Sequence, residues 1–417
     1  MDRLSISRLC YFWPDHNMKS VLAYIFSTHL KAVLLLVLAF SGKQFFAQTG
    51  PAAATIESDL TPKYSNEFLS IGVGARSLGM SLAQVASVND VTSGYWNPAG
   101  LTGIKSDLQV AGMHSEYFAG IAKYDYAAVG KAIDSVSAAS ISFIRFGVDD
   151  IPNTTELIDA GGNIDYDRIT TFSAVDYAFI FSYGRKGFPG KALNNPISLS
   201  NTEQQNFPNA FRWGANAKII YRHVGDFAKA WGFGLDIGAQ YDYRKWHFGA
   251  MAKDITSTFN AWSYTLDDRT KEVFTSTGNE IPVNSLEVTL PRIILGAGRE
   301  FNFKKVSLLA EVNALLTTDG RRNVLVSANP VSIDPGLGLE AAYNKIIYLR
   351  LGVGNFQRVK NFDGTEGMTF QPNLGLGLRI KNIQLDYALS DIGNVSDVLY
   401  SNVFSLRLDI FKQDKQN

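Results

Sequence analysis

Cysteine is almost absent: Cys10 is the only one in 417 residues, and it precedes the stretch read below as a cleaved leader. The exported remainder therefore has no disulfide and no thiol chemistry, and with no cysteine after the hydrophobic run there is no lipobox. An excess of either charge is missing too. With 39 basic against 39 acidic residues, the chain offers no basic field for nucleic acid. The apolar run Ala32 to Phe40, with His29 and Lys31 just ahead of it, is too short to cross ~30 Å of hydrocarbon as a helix. Beyond the leader only His114, His223 and His247 remain, none at metal-ligand spacing with another, so each reads as a strand or rim residue. Asp149-Asp150 and Asp267-Asp268 lack the Asp-x-Asp-x-Asp-Gly order of a calcium loop, and solvated loop charge is the plainer reading. Gly72, Gly74 and Gly79 miss the dinucleotide fingerprint because Ser77 holds its third glycine position, and there is no P-loop. No nucleophile–base constellation stands out; no enzymatic activity and no cofactor is expected.

What is present points elsewhere. Aromatic residues make up 12% and there are 36 glycines, a balance usual for a membrane barrel and also open to a soluble β-sandwich. Residues 1–47 read as a secretory signal peptide with its apolar core at Ala32 to Phe40 and cleavage after Ala47. Residues 1–17 are foreign to such a leader, and translation from Met18 would give one of ordinary form. Its loss removes Arg3, Arg8, Lys19, Lys31 and Lys43 against Asp2 and Asp15, leaving a net charge of −3. Residues 48–67 then form a polar lead-in.

Phe68 to Leu101 is rich in Gly, Ala and Ser yet carries no amphipathic period, so something other than its own apolar face must shape it. Gly72, Gly74, Gly79 and Gly94 allow close backbone approach or positive φ, and Pro98 holds Asn97 out of the α region after Tyr95-Trp96. A plug packed inside a larger shell fits this composition; so does a Gly-rich surface loop. Three runs, Lys63-Tyr64-Ser65-Asn66-Glu67-Phe68-Leu69, Ile71-Gly72-Val73-Gly74-Ala75-Arg76-Ser77-Leu78-Gly79-Met80 and Asn89-Asp90-Val91-Thr92-Ser93-Gly94-Tyr95-Trp96-Asn97-Pro98-Ala99-Gly100-Leu101, together resemble the opening of the PorV/PorQ family. Those are FadL-like outer-membrane barrels associated with the type IX secretion system. Ser81-Leu82 departs from the family, whose members often carry a Gly pair there, so a PorV paralogue is implied. The plug, 68–105, would be shaped by Gly72, Gly74, Arg76, Gly79, Trp96, Asn97, Pro98 and Gly100.

After residue 105 the period is two, and no helix of any length is expected. Trp231, Phe233, Leu235, Ile237, Ala239, Tyr241 and Tyr243 share one face, opposite Gly232, Gly234, Asp236, Gly238, Gln240, Asp242 and Arg244. Such a segment, at ~3.3 Å per residue and tilted by ~40°, rises roughly a bilayer core, about twice an ordinary sandwich strand. Arg212, Lys218 and Arg222 on an inner face would each cost several kcal/mol in a dry sandwich, a cost that a wet lumen removes. The same alternation would also suit a sandwich whose apolar face is its core. Strands are expected near 106–114, 123–132, 137–147, 173–186, 211–223, 230–243, 245–255, 291–301, 305–316, 335–344, 346–356, 371–380, 382–390 and 400–411. That makes an all-β, 14-stranded antiparallel transmembrane barrel over 106–411, FadL-like, with the N-terminal plug and a polar tail at 412–417. Short turns follow even strands and the long connections 148–172, 256–290 and 357–370 follow odd ones, the outer-membrane asymmetry; 187–210 breaks the rule.

The resemblance implies a Sec-exported outer-membrane protein that binds the C-terminal sorting domains of secreted cargo, the type IX translocon barrel, or both, and passes cargo toward surface attachment. Trp262, Tyr264 and Phe274 in the long loops are the candidate partner-binding residues. The alternative is a FadL-like channel for hydrophobic small molecules. An apolar pocket against the plug would favour the channel, and a lumen filled by plug side chains would favour protein binding.

Overall fold

The computed structural model describes residues 65–158, 161–187, 211–360, 365–390 and 401–412. The expected leader, the lead-in as far as residue 64, nearly all of 187–210 and the tail from 413 lie outside them. The strands are β1 (Leu108–Tyr117), β2 (Ala122–Ala132), β3 (Ser137–Asn153), β4 (Thr170–Lys186), β5 (Phe211–Val224), β6 (Ala228–Tyr243), β7 (Trp246–Lys253), β8 (Phe259–Tyr264) and β9 (Ser285–Val288). They continue with β10 (Arg292–Asn302), β11 (Val306–Thr317), β12 (Ser332–Tyr343), β13 (Ile347–Lys360), β14 (Glu366–Ile380), β15 (Ile383–Ser390) and β16 (Ser401–Ile410). Every neighbouring pair is antiparallel, and β1 meets β16 from Leu108↔Ile410 to Glu116↔Asn402, which closes the sheet. The closed wall runs β1 to β7 and then β10 to β16, fourteen strands, with the β8–β9 hairpin added to the far half of β6.

Solvent accessibility decides which alternate face points outward. On β6, Trp231, Phe233 and Ile237 are 57%, 42% and 46% exposed, whereas Asp236 and Gln240 are 3% and 1%. A chain that leaves its oily face accessible and hides its carboxylates is built for a solvent of lipid, and closure leaves no unpaired sheet edge along the span. No helix among the described residues is long and apolar enough to cross a membrane; the strands do so. The turns 244–245, 303–305, 344–346 and 381–382 are tight at one rim, while 154–169, 254–291 and 318–331 are long at the other.

Two expectations are corrected. The 256–290 connection is not an irregular loop throughout, because β8 and β9 extend the wall at its two ends. It also holds a helix, α3 (Asp268–Ser276), counted in chain order after α1 (Ala75–Leu78) and α2 (Ser93–Trp96), where no helix was expected. Asp267, read as solvated loop charge, is its N-cap: the carboxylate accepts from the Thr270 N–H at 2.6 Å. Asp149 likewise has a partner, lying 3.2 Å from Arg145 on a β3 that runs on to Asn153 past a bulge between Val148 and Ile151.

Candidate functional site

Residues 65–107 lie against the inward faces of the wall. A Cβ placed on Gly184 or Gly214 would meet Pro98, on Gly238 Asn97, on Gly249 Val85, on Gly338 or Gly352 Met80, and on Gly375 the backbone of Gly79. Those glycines alternate with the outward apolar residues of β4 to β7 and β12 to β14, so the small face of each strand is a mould for the segment's main chain. Val73, Ala75, Met80, Val85, Val91, Ala99 and Leu101 have no accessible surface at all. The segment has no separate core: Phe68, Leu69, Trp96 and Leu101 join one buried apolar cluster with Tyr124, Ile144 and Ile180 of the wall, and hydrogen bonds set the path of its main chain.

The Tyr95-Trp96-Asn97-Pro98 run does most of that shaping. Tyr95 Oη donates to the Leu69 carbonyl at 2.6 Å and accepts from the Gly72 N–H at 3.1 Å. Trp96 Nε1 donates to the Val73 carbonyl at 3.0 Å. Gly72 and Gly74 stand at φ +100° and +84°, conformations closed to most side chains, so the chain can fold back over both rings. Asn97 is fully buried: its amide donates to the Val85 carbonyl (3.1 Å) and to Ala239 on the wall (3.0 Å), while its Oδ1 accepts from the Ala99 N–H and caps the 3-10 turn Pro98–Gly103. Gly100 abuts the Val88 carbonyl, which a Cβ would approach to 2.3 Å. Ser81 and Leu82 both lie in the left-handed region at φ 50° and 64°, where a glycine would sit without strain.

Charge fixes the segment to the wall. Arg76 makes a two-pronged contact with Glu340 on β12 (Nε–Oε2 2.8 Å, Nη2–Oε1 2.9 Å). Glu340 also accepts from Arg350 of β13 at 2.6 Å, and Arg350 reaches Asp386 of β15 at 2.7 Å. Arg407 of β16 bonds Gln384 at 2.6 Å and pairs with Asp90 of the segment. Burial alone would raise the Asp90 carboxyl; Arg407, Thr92 and Arg76 outweigh it and hold the group below the usual carboxylate value. On β10 Arg292 donates to Ser70 Oγ at 2.6 Å and approaches Asp254 at 3.5 Å. The Lys253 ammonium sits 4.1 Å from the centre of the Tyr95 ring. These wall charges were missed individually in the sequence; their signal was a charged residue at the inward parity of an otherwise small-residue face.

The inner cations are accommodated differently from the wet-lumen expectation. Lys218 is 4% exposed and bonds Asp236 at 2.7 Å and Asp254 at 2.5 Å; Arg212 meets Asp242 at 2.6 Å and Arg222 meets Asp176 at 2.7 Å. Pairing, not water, offsets their desolvation. Asp254 is placed for this by an interruption of the wall: β7 ends at Lys253, and Asp254 and Ser257, at φ 58° and 57°, turn the chain inward before β8 begins. Thr258 Oγ1 and the Asp254 N–H then tie the break to Asp254 and Asp236 respectively.

Among the loop candidates, Trp262 and Tyr264 belong to β8 and stack at 6.1 Å, and Trp262 Nε1 donates to Glu287 at 3.0 Å with Arg222 over its ring. Phe274 is half-buried on α3. Between segment and wall lies a cavity of about 30 Å³ lined by Arg76, Asp90, Gln384, Asp386 and Arg407 among others. That is room for a water molecule, far below the ~300–1,000 Å³ of a small-molecule site. Among the described residues, no group of three His, Cys, Asp or Glu could hold a metal ion.

No known family profile matches the chain, and no curated protein matches it. Among solved structures it is similar to the P. putida toluene transporter TodX, at 12% identity and a TM-score of 0.48, over 82% of this chain and 99% of that one. It is likewise similar to the Ralstonia pickettii toluene transporter TbuX, at 12% and 0.45 over 81% and 98%. A third is a Pseudomonas aeruginosa FadL homologue, at 12% and 0.46 over 81% and 98%. The strand pairing itself, closing β1 on β16, is what makes this chain a transmembrane β-barrel of the outer-membrane kind.

Proposed function

We propose that the chain is an outer-membrane barrel that works at its outer rim, binding the C-terminal sorting domains of proteins exported by a type IX system and passing them on. What supports this is the burial of residues such as Val73, Met80, Val85 and Leu101 against the inward face of the wall, with a cavity of about 30 Å³ beside Arg76 and Asp90. A stoppered barrel offers partners its rim, where β8, β9 and α3 present an ordered surface, and the motifs of 63–101 supply the secretion context by resemblance. The plug reading of 68–105, export through the Sec pathway, and the translocon as a partner belong to the same proposal. Pull-down with the mature protein tests it: recovery of sorting domains or a translocon component is expected, and recovery of neither overturns it.

Transport of small hydrophobic molecules is the second reading, and two of the solved structures above are named as toluene transporters. In this chain it is favoured by the wall interruption at 254–258, where a path between lumen and lipid would have to open. Liposome uptake of a labelled hydrocarbon, abolished by cross-linking residue 254 to residue 236, would support it.

A further inference from the structure

Above Arg292 the wall changes partners. β11 pairs with β10 from Asn302↔Ser307 to Arg292↔Thr317 and stops, because the chain turns away through Gly320 at φ +99°. β9, which continues β10 upward beyond Pro291, runs beside β8 alone. The Thr289 N–H donates to the Thr258 carbonyl at 2.7 Å. In the register Phe259↔Val288 to Trp262↔Ser285, that bond makes Glu287 with Asn260 and Ser285 with Trp262 the hydrogen-bonded pairs. Leu286 and Val288 consequently point their N–H and C=O groups the other way, into the place β11 would occupy if it ran on. Neither finds a partner there among the described residues, and the two residues are 65% and 45% exposed.

The far side of the same gap is closed by a different device. β12 pairs with β13 only as far as Leu337↔Val353, and beyond that point the Asn323 amide accepts from the Arg358 N–H at 3.0 Å and donates to the Arg358 carbonyl. A side chain there does what a neighbouring strand's backbone would do. The β9 edge has no such cap, and an uncapped edge is a template for another strand.

We infer that β9 is a strand-addition site, at which an extended segment of another protein lies antiparallel to β9 above the end of β11 and bonds Leu286 and Val288 through its backbone. The partner's chemistry follows from the edge. It has free N–H groups on the side facing β9, apolar side chains at alternate positions beside Leu286 and Val288, and polar ones beside Glu287. The inference deepens the rim-binding reading and rests on it only for the source of the segment, an exported protein.

The test uses the mature barrel in detergent and a fluorescent ten-residue peptide of alternating Val and Thr, with a twin N-methylated on alternate residues. The unmodified peptide should bind, and N-methylation on the bonding side should weaken it about tenfold, the worth of two hydrogen bonds. Leu286→Pro and Val288→Pro remove only N–H groups that point away from β8 and should cause the same loss, with heat-modifiable migration checking the barrel; Leu286→Ala, which keeps the N–H, should lose less. Equal binding of the two peptides to the wild-type barrel, or no binding of either, overturns the inference without relying on any variant. A barrel dimer dissolved by Leu286→Pro would assign the edge to a second copy and overturn it as well. Sorting domains recovered equally by wild type and Leu286→Pro would overturn the inference and leave the rim-binding reading standing. Edge-dependent peptide binding without any sorting-domain recovery would do the reverse.

Discussion

Gly352 on β13 gives the sharpest test of the mould between wall and N-terminal segment. A Cβ there would lie 2.4 Å from the Met80 carbonyl carbon and 2.4 Å from the Ser81 amide nitrogen, whereas ordinary contact begins near 3.4 Å, so the chain would have to give by about 1 Å. Both clashing atoms are main chain, and no side-chain rotation can absorb the overlap. Overpacking of this kind costs ~1–3 kcal/mol. At 1.4 kcal/mol per decade, that moves the equilibrium between seated and unseated segment by roughly 5- to 150-fold. The wall pairs Gly338↔Gly352 and Gly352↔Asn373 are untouched, so closure should persist. Gly352→Ala should therefore migrate as a folded, heat-modifiable barrel while protease cuts residues 65–105 faster and bilayer conductance rises. Gly112→Ala, whose Cβ would meet nothing nearer than the Tyr126 carbonyl at 3.9 Å, is the control and should behave as wild type. Wild-type cleavage and conductance for Gly352→Ala would refute the argument that these glycines exist to admit the segment.

Arg76→Ala strands Glu340 with one partner instead of two; since Arg350 still bonds it at 2.6 Å, the loss should be roughly 1.5–3 kcal/mol of segment docking, read by hydrogen exchange across residues 72–84. Arg76→Lys should restore little of it, because an ammonium cannot make the two-pronged contact. Asn97→Ala removes the donor to Val85 and Ala239 and the cap on the turn that follows, and should lower the thermal transition of the segment, followed by Trp96 fluorescence, by the equivalent of ~1–3 kcal/mol. For pH, Asp90 is held below its ordinary value, so its contribution is complete above about pH 4 and is lost as pH falls through the lowered value. Exchange protection of residues 85–95 should be flat from pH 8 to 5 and decline only in stronger acid; Asp90→Asn should remove that acid-dependent step. Ser81→Gly relieves a left-handed residue, worth ~1–2 kcal/mol, but gives up the bond from Asn373, so calorimetry should find it close to neutral.

The fourteen barrel strands were legible because pleat geometry is local: a residue's face follows from its parity, and a strand long enough to cross a bilayer repeats that parity many times. The interior of the connection 254–291 was not. β8 and β9 are short, and the pairing of β8 with β6 and of β9 with β8 depends on the inward break at Asp254, which no local pattern announces. α3 was hidden for a related reason, since Asp267 reads as loop charge until Thr270 is seen folded back onto it. The motif residues of 68–101 could be singled out from sequence, yet only the folded chain shows what each touches.

Alternation and composition alone determined that one face of each strand is greasy and the other small or charged, because those are properties of neighbours along the chain. Which charges meet was decided by closure. Arg76 and Glu340 stand 264 residues apart in sequence, and Asp90 and Arg407 stand 317 apart; each pair is set by the rotational register at which fourteen strands close round a segment without a core of its own. Long-range register leaves no trace in a window of sequence, and so the seating of the segment and the uncapped edge of β9 belong to the tertiary structure alone.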